Sequence, residues 1–258
     1  MANLSIAPND RVKLMVRYED ADVIVVDKPA GVPTQPGLGH LDDTLLNGLF
    51  ALHGPRLQNL GRGRDFGLLH RLDRYTSGLV VVGLRASAYD AMRLAFERRE
   101  VRKFYWAVVS PPPSRASGII RRPILEETGE RKTATVHPKG KPAITAFRVL
   151  ATAKPGVAAL VECRPVTGRL HQVRVHMASI RAPIMGDEEY GEKARHRLAL
   201  HAHRLVFPHP ITGAVIDVRA PWPADLGGLI KRLGIPRPKH DEQAGAADGE
   251  IAGDSVTP

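Results

Sequence analysis

Apolar positions along the chain fall into short runs and stripes whose spacing predicts alternating strands and helices. Val12–Tyr18 and Val23–Asp27 read as two strands around the turn EDAD, and the following KPAGVPTQPG is a loop dense in proline and glycine. Thr44–Leu52 is a short helix candidate, and GLVVVGL (78–84) contains a buried strand at 79–84. Ser87, with Asp90 three residues on, predicts a helix start; Tyr89, Met92 and Phe96 then share one face, opposite Asp90, Arg93 and Glu97. VRKFYWAVV (101–109) alternates as a strand, with Phe104 and Trp106 on one face and Lys103 and Tyr105 on the other. SPPPS (110–114) ends it. Further strands are predicted at Ala143–Ala151, Val157–Cys163, Leu198–Phe207 and Ala214–Arg219, the last pair turning at HPITG. Thr167–Ile180 predicts a helix that buries Leu170, Val173, Met177 and Ile180 and places His171 and Arg174 on another face, one turn apart. No repeat is visible.

Length and composition narrow the class. At 258 residues and 28.1 kDa, with 43% apolar residues, the chain reads as one globular domain. The longest apolar runs are strand-length, far short of the roughly 18 residues that span a bilayer, and MANLSIAPND lacks a signal-peptide pattern. A single cysteine, Cys163, excludes an internal disulfide and a Cys-rich zinc site, and points to a reducing, cytoplasmic setting. Charge is more informative. Residues Pro236–Pro258 hold two cations and five acids, a net −3 within a total of +10, which leaves +13 on the rest. A body that basic suits a polyanionic partner, most simply nucleic acid. The acidic, Pro/Gly/Ala-rich 236–258 reads as a disordered tail, residues 1–10 as a flexible leader, and 11–235 as the folded domain.

Candidate chemistry concentrates in HRLDRYTSG (70–78), where Asp73 sits among His70, Arg71 and Arg74 ahead of an apolar strand. In isolation such a carboxylate reads as a surface ion-pair partner. The other reading is a charge held ready for chemistry by its arginines. GRGRDFG (61–67) is no dinucleotide fingerprint, because its third glycine comes one place late and no strand precedes it.

Taken in order, KPAG (28–31), HRLDRYTSG (70–78), KFY (103–105), TGRLHQVRVHM (167–177), LHA (200–202) and HP (209–210) resemble the RluA-type RNA pseudouridine synthases from about Val12 to Pro223. The resemblance implies an α+β fold, one catalytic domain around a mixed, largely antiparallel sheet with flanking helices and an active cleft across its middle. It implies a short form without an added N-terminal RNA-binding domain. It implies isomerisation of specific uridines in structured RNA (ribosomal or transfer) by base flipping, with no cofactor, no metal and no membrane partner, in a chain expected to act as a monomer.

In that family pattern Asp73 is the nucleophile or ribose-directed base, Arg174 its ion-pair partner, and Tyr105 the aromatic against the flipped uracil that takes a proton from the new carbon attachment point. Arg71 fits the space the base vacates. His70, Arg169, His171 and Gln172 are expected at the RNA or as supports for Arg174, the last three near a helix start that suits phosphate. Leu200 forms an apolar wall beneath the uracil. Arg62, Arg64, Arg121, Arg122, Arg131, Lys132, Arg195 and Arg197 are candidates to follow the RNA backbone. Two rivals remain at this point. His196, His201, His203 and His209 suggest a metal hydrolase, with His201 and His203 on one strand face, although no H-E-x-x-H accompanies them. A non-catalytic RNA-binding module on the same fold is the other, disfavoured by the joint presence of Asp73, Tyr105 and Arg174.

Overall fold

The computed structural model describes residues 4–236, apart from 128, 130–131, 154–156 and 193–194. Strands β1 (Met15–Glu19) and β2 (Val23–Lys28) lead into helix α1 (Leu45–Leu60), a 3-10 turn (Arg62–Gly67), β3 (Ser77–Gly83) and α2 (Ala86–Glu97). Then come β4 (Arg102–Val109), β5 (Ser117–Arg121), β6 (Ile124–Glu127), β7 (Thr133–Val136), β8 (Ile144–Thr152) and β9 (Ala159–Pro165). Helix α3 (Gln172–Ser179), β10 (Leu200–Pro208), β11 (Val215–Arg219) and α4 (Ala224–Arg232) complete the order.

Nine strands form one sheet in the order β1-β2-β3-β10-β4-β9-β8-β5, with β11 also on β10, while β6 and β7 pair separately. Among the described residues only β3 and β10 run parallel; the other strand pairs are antiparallel. The mixed, largely antiparallel α+β architecture is therefore present. β2 and β3 read as unbroken apolar runs because both of their faces are covered: Ile24, Val26, Val80 and Val82 join the main core with α1, and Val23, Val25, Leu79 and Val81 pack with Met92 and Ala95 of α2. The parallel contact is tight. Gly78 lies at φ +119°, and a Cβ there would stand 2.3 Å from the Ala202 carbonyl oxygen. Glycine is the residue that allows this approach, and it delivers the chain from Asp73 straight into the middle of the sheet.

Several boundaries differ from expectation. α1 continues to Leu60, with a kink at His53 just before Gly54-Pro55; proline sits where the second segment begins and its missing N–H costs nothing. Thr44 caps this helix by accepting from the Asn47 amide, and Asn47 answers through its side chain. At α2, by contrast, Arg85 is the cap residue and no side-chain cap bond forms, so Ser87 lies inside the helix. α3 starts at Gln172, five residues later than expected, because His171 turns left-handed at φ 51° and 167–171 is a hydrogen-bonded turn. Leu170 consequently leaves the helix stripe and packs with Ile124, Ala134, Ala143 and Val175. Leader residues 4–9 lie against α1: Ser5 N donates to the Gln58 side chain, Asn9 N to the Asn47 carbonyl, and Asn47 Nδ2 to the Ala7 carbonyl. The tail beyond Pro236 falls outside the described residues, as does Arg131.

Candidate active site

At the middle of the sheet the loop before β3, the β4 strand, the turn before α3 and the start of β10 meet around a cleft of about 720 Å³. All nine residues singled out from the sequence line it: His70, Arg71, Asp73, Tyr105, Arg169, His171, Gln172, Arg174 and Leu200. Tyr105 and Ala202 are register partners across β4 and β10, so the phenol and Leu200 arrive on adjacent strands. Lys103 shares the Tyr105 face as the alternation predicted, and lines the cleft with its ammonium 5.9 Å from the Phe96 ring centroid.

Asp73 is held from both sides of the chain. Thr34 Oγ1 bonds the Leu72 backbone as donor and acceptor (2.8 and 3.1 Å), and Gly31 N donates to Arg74 O at 2.8 Å. Beneath them lies Lys28, fully buried, whose Nζ donates to the carbonyls of Pro29 (3.0 Å), Val32 (2.7 Å) and Arg74 (3.1 Å). Burial pushes Lys28 down to about 7, with the charge of Asp73 opposing. Three carbonyls around three N–H groups nonetheless suit the ammonium form, so Lys28 clamps the KPAG loop to the loop that carries Asp73.

Arg174 Nη1 approaches Asp73 Oδ2 at 3.4 Å, the expected ion pair. It is not the main one. Arg174 Nε and Nη2 donate to Asp187 Oδ2 and Oδ1 at 2.8 and 2.7 Å, and Nη2 also meets Glu189 Oε2 at 2.9 Å. The Asp187 side chain is fully buried and also accepts the Glu189 and Tyr190 amides, which fixes the turn after α3 to the guanidinium. Burial alone would lower the Arg174 pKa, but the hydrogen bonds and charge of Asp187, then Asp73 and Glu189, raise it above its ordinary value. His171 stands between carboxylates: Nδ1 lies 2.8 Å from the Tyr190 hydroxyl and 3.2 Å from Glu189, and Nε2 lies 3.8 Å from Asp73. Burial, opposed by Asp73, lowers its pKa. Sequence reasoning missed Asp187 and Glu189. Their only signal was the run GDEEY, whose role depends on how the turn folds back onto α3.

Two residues expected at the RNA also bond within the protein. Gln172 is buried and its amide is fully used: Oε1 accepts from Thr167 Oγ1 (2.7 Å) and Arg169 N (3.0 Å), and Nε2 donates to Ile144 O (2.9 Å) and Thr145 Oγ1 (3.0 Å). With both donors and both lone pairs engaged within the protein, it braces the turn before α3. His70 Nε2 accepts the Val81 amide at 3.1 Å, and burial followed by Lys103 pushes its pKa to about 3. It is a neutral wall of the cleft. Arg169 lies in the turn before α3, its Nε donating to Pro142 O, and His171 is the N-cap residue of α3. Of the outlying cations, Arg64 pairs with Asp90, Arg197 with Asp225, and Arg122 donates to Ser179 O; Lys132 lines the cleft. The four histidines of the metal reading go separate ways: His201 to Ser77, His203 to Glu162 and the Trp106 face, His209 to Asp20, and His196 to the Arg197 carbonyl.

The chain resembles known proteins in sequence and in fold. The family described as RNA pseudouridylate synthase covers residues 22–179. The chain is 38% identical over 252 residues to a Bacillus subtilis (strain 168) protein named Uncharacterized RNA pseudouridine synthase YlyB, covering 90% of this chain and 82% of that one. It is 37% identical over 241 residues to the Ribosomal large subunit pseudouridine synthase D of Zymomonas mobilis, covering 88% of this chain and 75% of the relative. The solved structure of Human RNA Pseudouridylate Synthase Domain Containing 1 superposes with TM-score 0.66 at 26% identity, over 91% of this chain and 100% of that one. Fold and sequence thus define a pseudouridine synthase domain. The chain belongs to the RluA-type RNA pseudouridine synthase family, whose members are isomerases.

Proposed function

We propose that this protein converts specific uridines of structured RNA to pseudouridine, with Asp73 as the reacting carboxylate and the target base flipped into the cleft. The observation that carries the reading is Asp73 itself, its side chain 23% exposed at the edge of the cleft, between Arg174 and His171 and facing the space walled by Tyr105 and Leu200. The reaction breaks the C1′–N1 bond, turns the base and forms C1′–C5; the C5 proton leaves and N1 gains one, with no change in oxidation state. Asp73 serves by attack on the ring, by attack at C1′, or by removing a ribose proton, and each route needs an ionised carboxylate beside the flipped nucleotide. Unstacking the target costs a few kcal/mol, and Arg71, exposed at the cleft edge, suits the vacated space.

Tyr105 is assigned a narrower part than the resemblance implies. Burial, then the charge of Asp73, pushes its phenol well above the ordinary range, so a free phenolate is not at hand near neutral pH. Its part is to stack against the base. The relatives named for the ribosomal large subunit make ribosomal RNA the substrate class to test first. Incubation with RNA carrying tritium at uridine C5 should release tritium, and Asp73→Asn should bind the same RNA while release falls at least about 1,000-fold. Turnover by Asp73→Asn would remove it from the chemistry. Binding without release by the wild type, in both ribosomal and transfer fractions, would favour the non-catalytic RNA-binding module.

A further inference from the structure

Three helices of this fold end alike. After α2, α3 and α4 the chain turns left-handed, at Arg99 (φ 62°), Arg181 (φ 60°) and Gly234 (φ 65°). Each end is closed by the same pair of backbone bonds. Arg99 N donates to Phe96 O (3.1 Å) and Glu100 N to Ala95 O (2.9 Å); Arg181 N donates to Ala178 O (2.9 Å) and Ala182 N to Met177 O (3.1 Å). At α4, Gly234 N donates to Lys231 O (3.1 Å) and Ile235 N to Ile230 O (2.9 Å). This is the Schellman arrangement, whose left-handed position ordinarily holds glycine because a Cβ crowds the backbone there. α4 has the glycine. α2 and α3 carry arginine instead, against the conformational preference of the site.

For α2 the position has a consequence. Arg99 is exposed and lines the mouth of the cleft that holds Asp73, Arg71 and Lys103. Among the described residues its guanidinium makes no ion pair, whereas Arg93 on the same helix is taken by Glu97. The left-handed turn is short and closed at both ends, since β4 begins at Arg102 and sends Lys103 and Tyr105 into the same cleft. Helix-end electrostatics alone do not call for Arg99, because Arg98 at the C-cap already puts a cation there. Strained backbone at the edge of a site is where function is expected to hold a residue against its preference. Arg181 has the same strain but does not line the cleft.

We propose that Arg99 is an RNA-binding residue, held by the α2–β4 turn so that its guanidinium takes a backbone phosphate of the RNA beside the target uridine. A planar fork of donors on a rigid mount suits a phosphate oxygen pair, and the contact sets the register of the RNA over the cleft without reading a base. The inference rests on the reading of this cleft as the place where RNA is modified.

The test compares Arg99→Gly and Arg181→Gly in the full chain by thermal melting, by filter binding to deproteinised ribosomal RNA between 50 and 200 mM salt, and by single-turnover tritium release at saturating RNA. Both substitutions relieve the same strain and should raise the melting temperature by about 2–4 °C. Arg99→Gly should weaken RNA binding roughly tenfold and reduce the salt slope by about one, with the saturating rate within about threefold of wild type. Arg181→Gly should bind RNA as wild type does. Arg99→Asn, whose side chain also tolerates the left-handed region, should show the same loss, which a turn loosened by glycine alone would not produce. Wild-type affinity and salt slope in both Arg99 variants would overturn the assignment, and so would equal losses at Arg99 and Arg181, which would report bulk charge only. Binding is read without turnover. An Arg99 loss in a protein that releases no tritium would uphold this contact and sink the proposed reaction; full release with undiminished binding would do the reverse.

Discussion

Replacing Asp187 with asparagine keeps the shape of the side chain and removes the charge that Arg174 leans on most. The carboxylate is fully buried, its partner's side chain is 10% exposed, and two bonds of 2.8 and 2.7 Å join them, so solvent screens this pair little. Removing one partner of a buried pair costs about 3–5 kcal/mol, mostly as the penalty of the charge left behind. Glu189 and Asp73 remain near the guanidinium, which puts the expected loss at the lower end, roughly 3 kcal/mol. For a domain of this size that is a fall in melting temperature of roughly 6–12 °C. Freed from Asp187, Arg174 should swing towards Glu189 and draw the Asp73 carboxylate out of line; misplacement by about 1 Å costs about 100-fold in rate. The assay is single-turnover tritium release at saturating ribosomal RNA, well below both melting temperatures, with circular dichroism to confirm folding. A folded Asp187→Asn protein releasing tritium within threefold of wild type would refute the claim that Asp187 positions the pair.

Two other outcomes follow from the geometry. Gly78→Ala puts a methyl 2.3 Å from the Ala202 carbonyl at φ +119°, so the β3–β10 contact must open; a loss of roughly 3 kcal/mol in urea unfolding is expected, and wild-type stability would refute the packing of that pair. Burial lowers Lys103 to about 8, so it is about nine-tenths charged at pH 7 and about one-tenth at pH 9. The KM for RNA should therefore rise across that window in the wild type and rise less in Lys103→Arg, which stays charged; parallel profiles would show that Lys103 does not meet the RNA.

What was legible in the sequence was what adjacent residues decide among themselves. β2 and β3 stood out because burial on both faces leaves no polar break, and the shared orientation of Lys103 and Tyr105 followed from strand alternation alone. The ordered motifs brought nine residues to one cleft. Elements with weak local signal escaped: β5, the short β6–β7 ribbon, and α4, whose Gly227-Gly228 pair dilutes its helical pattern. The docked leader escaped as well, since its bonds reach residues 40 and 53 positions away. Long-range contact also explains why the second partner of Arg174 was missed. Arg174 is separated from Asp73 by 101 residues and from Asp187 by 13, and motif spacing ranks only the first pair. Geometry reverses the ranking. Asp187 takes the two short bonds and Asp73 the long one, so the guanidinium is fixed mainly by a carboxylate other than Asp73. A carboxylate gripped by two short charged bonds would be a poor partner for a sugar; one touched at 3.4 Å has a counter-charge nearby and lone pairs still free to react.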